Sequence, residues 1–318
     1  MKIKADRISF FLILTFLGIA FPGAAPARRA DLHNGDVASE NPAPVGTDRS
    51  LSQQSVRTAS DGWVPPDIDT VHRSVAPEAS CPLSDVISKV GAQVEELYDN
   101  LDRFTATELI RHQTVSRSGV LRPPEVQRVD YLASVKRAAN GSLSLEEYRG
   151  RNADTLPRFS DGIAVRGPFA LISIFHPNYV QHFQMVCEGL GSWRGQHAWQ
   201  IRFEERSDSA AHLSSLSIDS KIYDVRLRGR AWILADSYNV GQLETDLAET
   251  VPEVRFRLRH EVSEYSPVSF PGSNTVMWLP SSHDLYVDFR GHRFRQLTSY
   301  SDFALFSVKV DQQFGHVR

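Results

Sequence analysis

The chain has 318 residues, 41% hydrophobic and 23% charged, with only two cysteines. That balance excludes collagen-like, wholly disordered and disulfide-dense scaffolds. A formal charge of −3 supplies no strong basic field, so nucleic acid is not an expected partner.

The N-terminus carries the pattern of a signal peptide over residues 1–27. Lys2, Lys4 and Arg7 form a basic start, Ile8 to Phe21 is nearly continuous apolar sequence, and Ala25-Pro26-Ala27 is a small-x-small cleavage pattern. The alternative is an uncleaved anchor. The apolar run is about 14 residues, short of the ~20 that span a bilayer, and Pro22 and Gly23 stop it. No later segment is long and apolar enough to span, so the expected product is an exported, periplasmic or secreted chain with no integral membrane span after cleavage. Residues 28–80 are polar and rich in Pro, Ala, Ser and Asp, interrupted only by Trp63-Val64-Pro65-Pro66, which can dock locally. Such sequence buries too little apolar surface to offset its ordering entropy and reads as a disordered linker. The folded domain is expected over 81–318. Cys81 and Cys187 suit an oxidising compartment and are expected to pair, the alternative being two separate buried thiols.

Leu83 to Leu101 predicts the one long helix. Val86, Ile87, Val90, Val94, Leu97, Tyr98 and Leu101 recur at spacings of three and four. Pro82 suits the first turn, with Ser80 or Ser84 as cap. Beyond it the period becomes two. Thr105 to Val115, Val129 to Val135 and Leu143 to Glu147 read as strands, with Asn140-Gly141 as a hairpin turn. Phe169 to Phe175 lies in a short apolar run that suits a helical turn or plug. Gln181 to Glu188 and His197 to Phe203 are further strands, joined by the glycine-rich Gly189 to Gly195.

The clearest alternation is Tyr223, Val225, Leu227, Gly229, Ala231 and Ile233 against Asp224, Arg226, Arg228 and Arg230. Leu243, Thr245 and Leu247 follow, with Glu244 and Asp246 between them. Val254, Phe256, Leu258 and Val262 then alternate with Arg255, Arg257 and Arg259. As a meander these strands predict an apolar inner face and an exposed outer ladder of arginines and acids, which needs no anionic ligand. About ten strands and one helix, with no alternating βαβ order, exclude a doubly wound parallel fold. The expected class is α+β, mainly antiparallel β. One helix covers so wide a sheet only if the sheet curls around it.

The runs Gly229-Arg230-Ala231-Trp232-Ile233, Gln242 to Leu247, Glu264-Tyr265-Ser266-Pro267-Val268, Met277-Trp278-Leu279-Pro280 and Phe303 to Val308 resemble the LolA-like superfamily of periplasmic lipoprotein carriers and sorting relatives. Asp102 to Gln113, after the helix, resembles that family's start. The resemblance implies a half-open, about eleven-stranded LolA-like β-barrel with helices covering an apolar concave face that holds acyl chains or lipidated proteins.

Chemistry-bearing motifs are sparse. Gly189-Leu190-Gly191-Ser192-Trp193 lacks the spacing of a nucleophile elbow, and no P-loop or G-x-G-x-x-G occurs. His260-Glu261 is half of a zinc-protease motif without its second histidine, and His176 and His182 lack a third ligand. No catalytic residue, metal or cofactor is therefore assigned. Trp193, Trp199, Trp232 and Trp278 suit either core or lining positions. The expected function is non-enzymatic holding of an acyl chain or lipidated segment. Tyr223, Val225, Leu227, Val254, Phe256 and Leu258 are the candidate lining, and Phe169 to Phe175 the lid. The other reading is a structural or sensory envelope module whose hollow is self-filled and which binds a protein partner. On the face assignment, Arg228→Ser is expected to be nearly silent and Leu227→Asp or Phe256→Asp damaging.

Overall fold

A computed structural model describes the backbone of 13–16 and residues 63–69, 75–76, 80–101, 104–137, 143–150, 168–209, 212–218, 221–270, 274 and 276–305. The signal-peptide and cleavage readings otherwise lie outside these residues, as does the Asn140-Gly141 turn. Helix α1 spans Leu83–Asn100 and buries Val86, Val90, Val94, Leu97 and Tyr98, the stripe read from the spacing. Pro82 stands one position earlier than expected, at the cap itself, and no side chain caps the start. Its carbonyl instead accepts from the Val86 amide at 3.0 Å.

The strands are β1 (Ile13–Phe16), β2 (Phe104–Thr114), β3 (Glu125–Arg137), β4 (Leu143–Arg149), β5 (Phe183–Trp193) and β6 (Gln196–Glu205). They continue as β7 (Ser214–Ile218), β8 (Lys221–Val225), β9 (Leu227–Leu234) and β10 (Val240–Leu247), then β11 (Phe256–Ser269), β12 (Val276–Phe289) and β13 (His292–Leu305). Ten of the described strands form one open sheet in the order β4-β3-β2-β13-β12-β11-β10-β9-β6-β5, and β1-β7-β8 form a small second sheet. Every pairing is antiparallel. The main sheet thus has ten strands where about eleven were expected. The glycine-rich run is mostly strand: Gly189 and Gly191 pair with β6, and only Arg194-Gly195 turns, both at positive φ.

The sheet curls because one short element touches both of its halves. The 3-10 turn Pro168–Phe175 stacks Phe169 against Phe104 on β2, Tyr131 on β3 and Tyr300 on β13, while Phe175 meets Phe203 on β6. In a flat sheet β3 and β6 would stand about 34 Å apart at ~4.8 Å per strand. From Phe169 to Phe175 a 3-10 rise covers only about 12 Å. The apolar faces of α1, the turn and the strands therefore make one continuous core. Gly229 sits on this inner face because a Cβ there would stand 2.2 Å from the Glu244 carbonyl oxygen and 2.4 Å from the Phe203 ring.

Two face assignments change. The predicted strand from Tyr223 to Ile233 breaks at Arg226, which places Tyr223 and Val225 in the small sheet and Leu227 in the large one. In β11 the register shifts between Phe256 and Leu258. Phe256 faces inward, whereas Leu258 faces outward opposite Asp288 and Arg259 turns inward opposite Val287. The cause is the extra residue Arg257, since one inserted residue moves the rest of a strand to the other face.

The charged ladder is present, but its centre is buried, while Arg226 and Arg228 stay partly exposed. Arg230 pairs with Glu244 and Arg228 with Asp246 across β9 and β10. His260, not an arginine, takes the β11 position, with Nδ1 2.6 Å from Asp246 Oδ1. Arg230, Glu244, Asp246 and His260 are all buried. Residues from the stretch read as linker lie against this face: Ile68 is fully buried, its amide donates to Asp246 Oδ2 at 3.1 Å and its carbonyl accepts from Arg230 Nη1 at 2.7 Å. Arg228 bonds Asp69 at 2.8 Å, a partner that the exposed-ladder reading did not include.

Candidate binding cleft

The amphipathic stripe of α1 packs into the core, and the flank of the helix stands over the end of β12. Between α1 and β12 a cleft of about 130 Å³ remains, lined by Val90, Val94, Leu97, Ile172, Val240 and Met277, with Gln93, Glu96, Asn100 and Asn239 at its rim. The Trp278 ring forms one wall and is fixed by Nε1–H donating to the Val240 carbonyl at 2.6 Å. Val276, 60% exposed, continues the apolar surface outward. On the far side of Trp278 lies a wider recess of about 350 Å³ bounded by Trp193, Arg194, His197, Leu234 and Pro267. Trp193 is held by its Nε1–H donating to Gln242 Oε1 at 3.2 Å, and Arg194 by Glu264 at 2.6 Å.

Deeper in, the inner face is not uniformly oily. Arg149 forks onto Glu108 at 2.5 and 3.1 Å, and Tyr300 donates to the same carboxylate at 3.0 Å. On neighbouring strands Arg259 bonds Glu261 and reaches Ser214 Oγ at 2.6 Å, and Ser263 Oγ stands 3.0 Å from His283 Nδ1. Burial lowers Arg259 to about 9, leaving it charged at neutral pH. Burial, then the charges of Arg259 and Arg149, lower His283 to about 3, so its ring is neutral. The Ser263–His283–Glu261 arrangement has hydrolase-like partners, with His283 Nε2 3.8 Å from Glu261 Oε2. All three side chains are sealed from solvent, so the group ties β11 to β12 and offers a substrate no approach. The predicted uniformly apolar face is corrected accordingly.

His260 and Glu261 lie on opposite faces of β11 and share no site. His176 stacks on Tyr98 and accepts from the Asn178 amide at 3.1 Å, while His182 Nδ1 pairs with Ser209 Oγ at 2.9 Å. Among the described residues no group of three or more His, Cys, Asp or Glu could hold a metal ion.

Of the residues expected to line a hollow, Val225, Leu227, Val254, Phe256, Phe169 and Phe175 come together in the main core, with Tyr223 half-buried beside them. Val254 belongs to a 3-10 turn, Pro252–Val254, instead of a strand. Leu258 is outside that core. None of the eight lines either cleft. The cleft walls come instead from the α1 stripe and from Met277-Trp278. Both were visible as apolar sequence, but their separation depends on how α1 docks. Cys81 and Cys187 are bonded, with Cα atoms 6.3 Å apart. No described helix is long and apolar enough to cross a membrane.

No family model matches the chain, and no curated protein matches it in sequence. The LolA-like resemblance is met among solved structures. A LolA superfamily protein from Nitrosomonas europaea is 12% identical, with 70% of this chain and 94% of that one covered and a TM-score of 0.35. A DUF1329 family protein from Desulfovibrio piger is 8% identical, with 74% and 98% covered and a TM-score of 0.41. A Vibrio parahaemolyticus domain proposed for outer membrane lipoprotein sorting is 8% identical, with 70% and 92% covered and a TM-score of 0.36.

Proposed function

We propose that the chain is an exported, non-enzymatic binding protein that takes the acyl end of a lipidated protein segment in the cleft between α1 and β12. The carrying observation is a cleft of about 130 Å³ beside α1 whose floor is the nearly buried Val90, Val94, Leu97, Ile172 and Met277 and whose wall is the half-buried Trp278. Size decides the class of ligand. A cleft of about 130 Å³ lies below the usual ~300–1,000 Å³ of small-molecule sites. It takes on the order of four methylenes, a gross gain of ~3 kcal/mol, less than the ~4–15 kcal/mol that association costs. A free fatty acid is therefore held weakly, and the polypeptide part of a lipidated segment must add the rest.

A second reading is favoured by one observation. The space beneath the curled sheet is filled by the protein's own Phe169, Leu171, Ile174 and Phe175, all fully buried. On that reading the domain is a structural or sensory envelope module with no lipid.

A fluorescent acylated peptide and its unacylated twin separate the two. The lipid reading expects the acylated peptide to bind at least tenfold tighter, and Gln93→Trp, which fills the rim of the cleft, to remove that advantage with the fold intact. Equal binding of the two peptides, or an advantage that survives Gln93→Trp, overturns it and leaves the self-filled module.

A further inference from the structure

The small sheet covers part of the inner face without being stitched to the large one. Among the described residues β7 and β8 pair with each other and with β1, and neither joins the ten-stranded sheet. What they cover is polar. Ser214 Oγ accepts from Arg259 Nη1 at 2.6 Å, and Arg259 is bonded to Glu261, all three buried. Leu216 and Val225 are buried in the core and Tyr223 is half-buried against it, while Lys221, Ile222 and Asp224 are exposed.

Both roots of this hairpin converge on one carboxylate. Glu205 is the last residue of β6, and its side chain is fully buried. Its Oε1 stands 2.9 Å from His212 Nδ1, and the Leu213 amide, directly before β7, also donates to the carboxylate. Its Oε2 accepts from the Leu227 amide at 3.2 Å, just past the end of β8. Arg226, in between, donates to the Glu205 carbonyl from Nη2 at 2.9 Å. One buried acceptor thus holds the entry and the exit of the hairpin, and its loss would strand an amide at each root.

The load on these roots is electrostatic. Taking Arg259 and Glu261 out of water is costly even for a bonded pair, and burial alone lowers Arg259 to about 9. Swinging the hairpin away returns both groups to water and gives up the enclosure of only a few apolar side chains. Elements with so few buried apolar contacts are the ones that open below the free energy of global unfolding.

We propose that β7 and β8 form a flap that swings on a Glu205 latch and exposes the Arg259–Glu261 pair while the ten-stranded sheet stays folded. The flap is independent of the cleft beside α1.

Alkylation of added cysteines by iodoacetamide in the full-length chain, with the Cys81–Cys187 bond intact, tests this. Ser214→Cys reports on the flap and Val287→Cys on the sealed inner face of β12; both native side chains are buried. Ser214→Cys should react at least tenfold faster than Val287→Cys. Adding Glu205→Gln should speed the flap position at least tenfold further and leave the β12 position nearly unchanged. Equal rates at the two positions, or an equal effect of Glu205→Gln on both, overturns the proposal. Should Glu205→Gln fail to fold, His212→Ala makes the same comparison, because it removes one root contact and keeps the carboxylate on both amides. In the native chain, amide hydrogen exchange should also be faster in β7 and β8 than in β9 to β13, and exchange that is no faster there counts equally against the flap.

Discussion

Phe256 and Leu258 stand two residues apart in β11 yet face opposite sides of the sheet: Phe256 lies opposite Phe289, its ring 6.1 Å away, and Leu258 lies opposite Asp288. Truncating them should therefore have unequal consequences. Phe256→Ala leaves a hole in the sealed core and should cost about 3–5 kcal/mol. Leu258→Ala, half-buried on the outer face, should cost no more than ~1 kcal/mol, in keeping with substitutions away from the core. Urea denaturation of the two variants checks this, and equal losses would mean that the register shift at Arg257 is absent.

That pair also marks where sequence reading stops. The α1 stripe, the period-two strands, the plug at 168–175 and the adjacency of arginines and acids across β9 and β10 were legible, because each depends on spacing within one element or between chain neighbours. A bulge leaves no signal of that kind. Arg257 is one more residue in an alternating run, and only the partner strand reveals that Arg259, not Leu258, faces the core. The outer ladder failed as an exposed surface for a longer-range reason: Ile68 and Asp69 cover it from well over a hundred residues away. The cleft was half legible. Val94 and Met277 were plainly apolar, but nothing in their spacing says that a cleft is left beside them.

Cys187 lies on the edge strand β5 and Cys81 directly before α1, so their bond holds the point where the chain passes from the outer face to the inner one. The sequence separation is 106 residues. In the chain-entropy account, closing a loop of that length stabilises by about 4–5 kcal/mol. Cys81→Ser/Cys187→Ser should lower stability by about 3–5 kcal/mol and raise amide hydrogen exchange first in β5 and the start of α1. Exchange that rises uniformly across the sheet would argue against a local staple.

Arg149 lies between two buried carboxylates. It forks onto Glu108, and its Nη1 is 3.6 Å from Glu147. Arg149→Met removes the cation and leaves both acids uncompensated, which should cost about 3–5 kcal/mol. Replacing the fork whole, as Arg149→Met/Glu108→Leu, should restore part of that loss, because the expense lies in the stranded charge more than in the missing attraction. A double variant less stable than the single one by the full cost of Glu108→Leu alone would show that the two groups are not coupled.

His283 gives the fold an acid-side weakness with a definite sign. Burial and the charges of Arg259 and Arg149 hold its folded pKa at about 3, below the usual value of 6.5. Above pH 6.5 the ring is neutral in both states and its contribution is complete. As the pH falls from 6.5 toward 3, the unfolded chain takes up a proton that the folded chain refuses, so stability declines by up to ~1.4 kcal/mol per pH unit. Below the folded pKa both states are protonated and the loss stops growing. Other groups shift as well: burial lowers His176 in the same direction and raises Glu205, which opposes it. His283→Gln can keep the bond to Ser263 but does not titrate, and it shares those other groups with the native chain. Stability measured by urea denaturation from pH 7 to pH 4 should therefore fall more steeply for the native chain, with a difference approaching one proton. Parallel curves for the two proteins would mean that His283 is solvated in the fold.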